Sequence, residues 1–149
     1  LAEPSTLVAL GHTIVMSHGD PLVLDDKPYQ VYRREVRAAA WQAAFLARPI
    51  EERLAIARKI RAESHERKQA EPDLSKWADV DEDECRRWLR ANRARVLVHG
   101  HTHRPGDTPL GDGLMRRTLS DWDLDSPRDR AEVLRLDASG WHRLPVRPR

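Results

Sequence analysis

The sequence predicts an α/β (α+β) fold in which a helical segment is inserted after the first strand of a sheet. Three observations support this prediction. Residues 12–20 form an apolar, β-branched run that ends in Gly-Asp, as a buried strand does when it leads into a loop. Residues 29–69 show helical periodicity, and residues 114–146 alternate between apolar and polar side chains as antiparallel strands do.

The helical segment is predicted to contain two helices. The first covers residues 29–47, because its apolar side chains fall on two helical stripes. One stripe contains Tyr29, Tyr32, Val36, Ala40 and Ala43, and the other contains Ala38, Trp41 and Phe45. The second helix begins at Pro49, which is tolerated in a first turn, and runs to about Gln69. Glu51 and Glu52 lie in its first turn, where the helix dipole favours acidic side chains.

A third, shorter helix is predicted before the second half of the sheet. Asp81 is expected to cap it, and Glu84 three residues later completes an acidic variant of the capping box, with the helix ending near Asn92. Strands are expected at residues 95–98, 114–122, 131–137 and 141–146, with connections at residues 21–28, 71–80 and 104–113.

Composition narrows the classes of function. The 149 residues suit one ordinary domain, and 26 Lys and Arg against 24 Asp and Glu leave a net charge of only +2. This balance gives no electrostatic argument for nucleic acid, so we predict no nucleic-acid partner. Cys85 is the single cysteine, which favours a reducing compartment such as the cytoplasm. The sequence starts without Met and without a basic flank, so we expect it to begin within a longer protein rather than at a secretory signal.

Histidines follow two of the predicted strands. His18 ends the first apolar run, and His99, His101 and His103 occur around Gly100 at the end of residues 95–98. Alternate side chains of an extended backbone point the same way, so His101 and His103 are expected to converge, with Gly100 allowing a bend. Ligands bind outside the carboxyl ends of strands in α/β sheets, which brings His18 to the same place. We therefore predict a metal site of His18, His101 and His103, with His99 either supporting these ligands or packing within the sheet.

The number of metal ions is left open by these residues. Three histidines can hold one catalytic zinc ion, whereas phosphoester hydrolysis often uses two ions that share carboxylates. No acidic residue occurs in an obvious ligating pattern, and Asp20 is expected only to cap a turn. Either the site uses histidine alone, or further ligands come from outside this chain.

Several sequence motifs resemble those of a known family. "GHTH" at 100–103 and "MSHGD" at 16–20 are similar to the last histidine motifs of the calcineurin-like metallophosphoesterases. "HGDPLVLDDKPYQVYR", "IRAES", "VLVHGHTHRP" and "RRTLSDWD", which span almost the whole chain, further resemble the UDP-2,3-diacylglucosamine hydrolase family of lipid A biosynthesis. The three earlier motifs of that family are not found here. The resemblance therefore concerns its C-terminal part, and we expect the missing N-terminal segment to precede this sequence or to be a separate chain.

The resemblance implies a fold and a reaction. The fold would be part of a four-layer αββα sandwich, with core residues 1–26 and 73–149 and a helical lid at residues 27–72. Two Mn²⁺ ions would be bound, one by His18 and His101 and the other by His103. They would activate water to hydrolyse the pyrophosphate bond of UDP-2,3-diacylglucosamine, giving UMP and 2,3-diacylglucosamine 1-phosphate (lipid X).

The resemblance also implies how the lipid substrate is bound. The expected contacts to the sugar and its phosphate are Asp26, Tyr29, Arg61, Ser64, Lys68 (or Arg67 in its place) and His101. The doubly apolar first helix would line a chamber for the acyl chains, or else it is simply buried against its neighbours. Such an enzyme would be cytoplasmic and peripheral on the cytoplasmic face of the inner membrane.

Two other functions remain compatible with the sequence. One is a calcineurin-like phosphodiesterase or phosphatase that acts on nucleotides, for which a doubly apolar helix has no use. The other is an inert metal- or lipid-binding fragment, which the missing motifs favour and which metal stoichiometry would distinguish from an enzyme.

Overall fold

The computed structural model describes residues 3–71, 73, 76–124 and 131–146, except for the side chains of residues 67 and 68. The chain divides into two compact units. One consists of Leu1–Val23 and Asp79–Arg149, and the other is Leu24–Ala78.

The first unit is built on a five-stranded sheet. Its strands are β1 (Ser5–Ala9), β2 (His12–Ser17), β3 (Val96–His99), β4 (Gly106–Gly111) and β5 (Leu114–Thr118). Their order is β1-β2-β3-β5-β4, with β2, β3 and β5 parallel and the outer strands antiparallel. Ser17 pairs with His99, and His99 pairs with Thr118. The three parallel strands therefore end level with one another, and the loops that follow them start at one edge.

Both faces of the central strands are covered. Ile14, Val96 and Val98 are buried on one face, under Leu134, Leu136 and Trp141 of a two-stranded ribbon. That ribbon consists of β6 (Glu132–Asp137) and β7 (Gly140–Pro145). The alternate residues Val15 and Leu97 are fully buried on the other face, as strand geometry requires. Continuous apolar runs such as "VLV" are typical of parallel strands buried on both faces.

The helix that precedes β3 in the chain packs against β3 and β5. This helix, α4 (Glu82–Ala91), follows Asp81, whose Oδ1 accepts a hydrogen bond of 2.7 Å from the Glu84 backbone N–H. The predicted cap is therefore confirmed. Cys85 and Leu89 lie on the buried side of the helix and are fully buried.

Burial gives Cys85 a testable property. Desolvation raises the pKa of its thiol to about 12, so almost none of it is the reactive thiolate near neutrality. At pH about 8, a disulfide reagent should label native Cys85 on the order of 1000-fold more slowly than the urea-unfolded chain, in which the thiol has its ordinary pKa. Equal labelling rates in the two states would mean that the packing of α4 on the sheet opens readily.

The second unit contains three α-helices among its described residues. They are α1 (Lys27–Val36), α2 (Ala39–Leu46) and α3 (Ile50–Ala70). The prediction of one continuous helix over residues 29–47 was wrong, because Ala38 adopts an extended conformation with ψ 132°. The stripe that begins at Tyr29 therefore spans two helices and is not one helical face. The second unit spans the whole of the predicted lid, residues 27–72; its role as a lid stays a prediction.

The α/β class is confirmed, and two strands were missed. Among the described strands, β1 lies at the edge of the sheet next to β2, and β4 lies in the segment predicted to be a loop. Pro109 interrupts the pattern of β4, but proline is compatible with an edge strand, and a bulge follows it. Among the described residues, no helix has the length and apolar character needed to cross a membrane.

Candidate functional site

The loop after β2 is held in place by its backbone and by a carboxylate. Glu3 Oε1 accepts hydrogen bonds from the Ser17 hydroxyl (2.7 Å) and the His18 backbone N–H (2.8 Å). The Gly100 N–H donates to the His18 carbonyl at 3.0 Å, which continues the pairing of β2 and β3 beyond their ends. The backbone of His18 is thus fixed at the carboxyl edge of the sheet, as the sequence predicted for this strand end.

Gly19 is the glycine that this edge requires. Its φ is +107°, and an added Cβ would lie 2.9 Å from His99 Nδ1 and 3.1 Å from the Gly100 carbonyl oxygen. A Cβ on Gly100, by contrast, would meet only the His18 carbonyl at an ordinary 3.5 Å. The sequence pattern indicated that the backbone needs a glycine at Gly100 in order to bend. In the structure, the position without room for a side chain is instead Gly19.

Replacing Gly19 by alanine should therefore destabilise the fold and not only the site. Positive φ costs an L-residue about 1–2 kcal/mol, and overpacking adds about 1–3 kcal/mol, so we expect a loss of about 2–5 kcal/mol. The matched control is Gly11→Ala, because Gly11 has φ +76° but open space around it, so only the backbone cost applies. Urea unfolding of both variants measures the difference. Equal losses would show that the contacts at Gly19 have no energetic role.

His18 and His101 lie side by side at this edge. Their ring centroids are 5.0 Å apart, with an angle of 64° between the ring planes. His18 Nδ1 lies 2.9 Å from Oδ1 of Asp20, a carboxylate that is only 1% exposed, whereas the His18 side chain is 59% exposed. His103 Nδ1 lies 3.3 Å from Oδ2 of Asp121, whose side chain is 7% exposed. A carboxylate oxygen therefore lies next to the Nδ1 atom of two predicted ligands.

His101 and His103 reach the edge in a different way from the one predicted. β3 ends at His99, and His101 and His103 have φ values of 65° and 53°, so neither belongs to extended backbone. The Thr102 N–H donates to the Gly100 carbonyl at 2.8 Å, which makes the loop tight. The prediction from strand alternation was wrong, because a left-handed loop rather than a strand carries these two imidazoles.

His99 is a structural residue. It is fully buried, its Nδ1–H donates to the Gly100 carbonyl (2.8 Å), and its Nε2 accepts from the Thr118 hydroxyl (3.1 Å). Burial lowers the pKa of His99 to about 4, which outweighs the opposite effect of the Gly100 hydrogen bond. The ring is therefore neutral at pH 7 and joins the ends of β3 and β5, in line with the packing role predicted for it.

A charged cluster next to the site was not predicted. Arg104, which follows His103, lies 3.5 Å from Asp79 Oδ2, and Arg116 lies 3.4 Å from the same oxygen. Arg116 Nη2 also donates to the Thr108 hydroxyl at 3.2 Å. Asp79 comes from the connection before α4, so no local sequence pattern links it to these arginines. The pairing of Asp20 with His18 could have been predicted more easily from the sequence than this cluster, since the two residues are only two positions apart.

The imidazoles fit a metal centre as part of its donor set. Histidine nitrogen binds most divalent transition metals, but Mn²⁺ prefers carboxylate, carbonyl and water oxygens. In the part of the chain that the structure describes, no three His, Cys, Asp or Glu side chains are grouped so as to hold a metal ion. The described residues would therefore supply nitrogen ligands to such a centre and not a complete site.

The predicted substrate-binding residues other than His101 belong to the second unit. Asp26 caps α1, since its Oδ1 accepts from the Tyr29 backbone N–H at 3.1 Å. The centroids of the Tyr29 and Tyr32 rings are 6.3 Å apart. Arg61 and Ser64 lie one turn apart on α3, with Arg61 exposed and Ser64 half-buried. The side chain of the remaining residue, Lys68, lies outside the described residues.

Comparison with known proteins gives relatives over nearly the whole chain. A UDP-2,3-diacylglucosamine hydrolase of Chromobacterium violaceum is 41% identical over 146 residues, which cover 98% of this chain and 59% of that protein. One from Stenotrophomonas maltophilia (strain K279a) is 35% identical over 149 residues, covering 95% of this chain and 58% of the relative. The chain is homologous to the C-terminal part of UDP-2,3-diacylglucosamine hydrolases.

A third relative of the same name gives a shorter match. The UDP-2,3-diacylglucosamine hydrolase of Bordetella pertussis is 43% identical over 128 residues, or 84% of this chain and 49% of the relative. No protein-family profile matches the chain. The chain thus spans between about half and three-fifths of the length of these hydrolases, and the family resemblance seen in its motifs is confirmed for that part.

Proposed function

We propose that the protein takes part in the hydrolysis of the pyrophosphate bond of UDP-2,3-diacylglucosamine, which yields UMP and 2,3-diacylglucosamine 1-phosphate in lipid A biosynthesis. The observation that carries this proposal is the paired imidazoles of His18 and His101 at the carboxyl edge of a sheet, in a chain homologous to hydrolases named for this substrate. Ligand sites of α/β sheets lie at such an edge.

The proposed cofactor is a pair of Mn²⁺ ions. When bound, they would lower the pKa of a coordinated water and neutralise charge on the phosphoryl group. His18 and His101 would bind one ion and His103 the other. Their oxygen ligands would come from outside the described residues, because these do not group three potential ligands. The proposal is compatible with a ligand-bearing segment encoded before this sequence or with a separate chain.

The second unit is proposed to bind the lipid part of the substrate. Asp26 and Tyr29 would contact the sugar, and Arg61, Ser64 and Lys68 would contact the glucosamine phosphate. Cationic and hydroxyl side chains suit a phosphate group because they donate hydrogen bonds to its oxygens.

The proposed location is the cytoplasmic face of the inner membrane, where a diacylated substrate would be found. Apolar side chains of the second unit support this location, since Leu46, Ile50 and Leu54 are 63%, 51% and 50% exposed. Such residues can insert into the headgroup region of a bilayer.

The decisive experiment is an assay of the full-length encoded protein with UDP-2,3-diacylglucosamine and Mn²⁺, in which UMP and the lipid product are both measured. The expected result is stoichiometric release of the two products, abolished by a chelator and restored by Mn²⁺. Equal hydrolysis of water-soluble nucleotide diesters would favour a nucleotide phosphodiesterase. Mn²⁺ binding without hydrolysis of any phosphoester would favour an inert metal-binding protein.

A further inference from the structure

Two buried carboxylates accompany the exposed imidazoles of the candidate site. Asp20 is 1% exposed beside His18, which is 59% exposed, and Asp121 is 7% exposed beside His103, which is 45% exposed. In each pair the carboxylate is buried and the imidazole is about half exposed, so the surrounding structure restrains the carboxylate more than the ring. The same arrangement thus occurs twice, after β2 and across the loops that follow β3 and β5.

Asp20 is fixed because the turn that contains it is anchored in the core. It opens a short 3₁₀ turn, Asp20–Leu22, in which the Leu22 N–H donates to the Gly19 carbonyl at 3.0 Å. Leu22 is fully buried, and its carbonyl accepts from the Asp81 N–H at 2.7 Å. The carboxylate therefore cannot follow the ring of His18, and the ring must adapt to the carboxylate.

Asp121 is fixed by the continuation of the sheet. The Leu119 N–H donates to the His99 carbonyl at 2.7 Å, which extends the β3–β5 pairing past the end of β5. Asp121 follows two residues later with its side chain almost fully buried. His103, on the neighbouring loop with φ 53°, approaches it through Nδ1.

We infer that Asp20 and Asp121 are positioning residues that hold His18 and His103 as Nδ1–H tautomers and direct their Nε2 lone pairs towards a divalent cation. A carboxylate accepts hydrogen bonds and cannot donate them, so the nitrogen next to it carries the proton. The lone pair of each neutral ring then lies on Nε2. Partners of this kind orient histidine ligands and raise their basicity in metal sites. This inference rests on the proposed metal role of His18 and His103.

The first test reads the tautomers without metal. In the full-length protein labelled with ¹⁵N-histidine and freed of metal, a two-bond ¹H–¹⁵N correlation spectrum at pH about 8.5, where an ordinary imidazole is neutral, identifies the protonated nitrogen. We expect Nδ1–H for both His18 and His103. Nε2–H tautomers for the two residues would overturn the inference.

The second test measures affinity for Mn²⁺ alone by calorimetry. Asp20→Asn and Asp121→Asn conserve shape, but an amide can donate to Nδ1 and so favours the opposite tautomer. Each variant should bind Mn²⁺ about 10–100-fold more weakly, with a shifted tautomer population. Unchanged affinity in both variants would contradict the inference. If the buried substitution Asp20→Asn prevented folding, the wild-type spectrum and Asp121→Asn would still decide the question.

The matched control is Asp137→Asn. Asp137 Oδ1 lies 3.2 Å from His142 Nε2 on the β6–β7 hairpin, but both side chains of this pair are about one-third exposed (36% and 34%). Its substitution should leave Mn²⁺ affinity unchanged. If Asp137→Asn weakened Mn²⁺ binding as much as Asp20→Asn and Asp121→Asn, the loss of any negative charge would explain the effect, and the positioning role would be overturned. Activity is measured separately: expected tautomers and affinities in a protein that does not hydrolyse UDP-2,3-diacylglucosamine would refute the proposed function and leave this inference standing.

Discussion

Replacing His101 or His103 by alanine should lower Mn²⁺-dependent hydrolysis by the full-length protein at least about 100-fold, because loss of a metal ligand costs more than the 10–100-fold typical of its supporting residues. Both residues lie in the loop after β3, where His101 is half-buried and the His103 side chain is 45% exposed. Neither removal creates a large core cavity, but His103→Ala removes the partner of the buried Asp121 carboxylate, so the free energy of unfolding should fall by about 1–3 kcal/mol at most. The assay is product release at saturating Mn²⁺, with urea unfolding of the same preparations.

Two other histidines serve as controls for this experiment. His142→Ala, on the β6–β7 hairpin, removes a half-buried imidazole that contacts Asp137 and should leave turnover unchanged. His99→Ala removes a fully buried ring and deprives the Thr118 hydroxyl of its acceptor, so it should lower the free energy of unfolding by about 2–5 kcal/mol. Normal turnover in both the His101 and His103 variants would refute the assignment of these residues to the metal.

The sequence predicted the structure best at the positions where an apolar run ends in histidine and glycine. The runs before His18 and His99 predicted two buried strands, and the parallel pairing of Ser17 with His99 places the residues that follow them at one edge. Pairing between parallel strands aligns their ends, so two short motifs that are about eighty residues apart in sequence predicted one site.

The details of the loops could not be read in the same way. Side-chain periodicity assumes regular backbone, whereas His101 and His103 both adopt positive φ, which non-glycine residues reach only when the surrounding structure stabilises it. The importance of Gly19 depends on the position of His99, a residue that is eighty positions later in the chain. Such long-range contacts leave no local pattern.

The same limit explains the errors in secondary structure. Ala38 favours helix intrinsically, yet it is extended between α1 and α2, so neither propensity nor the apolar stripes revealed the break. β4 contains Pro109 and is bounded by glycines, which is the composition of a loop, and only its pairing with β5 makes it a strand. In both places tertiary structure outweighs local preference.

The last prediction concerns the apolar surface of α2. Trp41 and Phe45 lie one turn apart on this helix with their rings stacked, the centroids 4.9 Å apart and the planes inclined by 9°. No residue of α2 is buried within the chain, so the alternative of a helix buried against its neighbours finds no support among the described residues. An acyl chain placed on these rings would gain about 0.8 kcal/mol per buried CH₂ group, so a ten-carbon chain has several kcal/mol available.

Trp41→Glu or Phe45→Glu should therefore weaken binding of a long-chain substrate by about 100-fold or more, because a charge would face the hydrocarbon. A deacylated analogue should lose little, since it makes no contact with these rings.

Ala43→Glu is the matched control, because it adds the same charge at an exposed position about 200° around the helix from Trp41. The measurement is KM for the two substrates in each variant. If the Trp41 and Phe45 variants lost both substrates equally, the stacked pair would support the helices of the second unit and would not bind lipid. If Ala43→Glu impaired the long-chain substrate as strongly, any negative charge on α2 would be sufficient, and the specific role of the rings would be refuted.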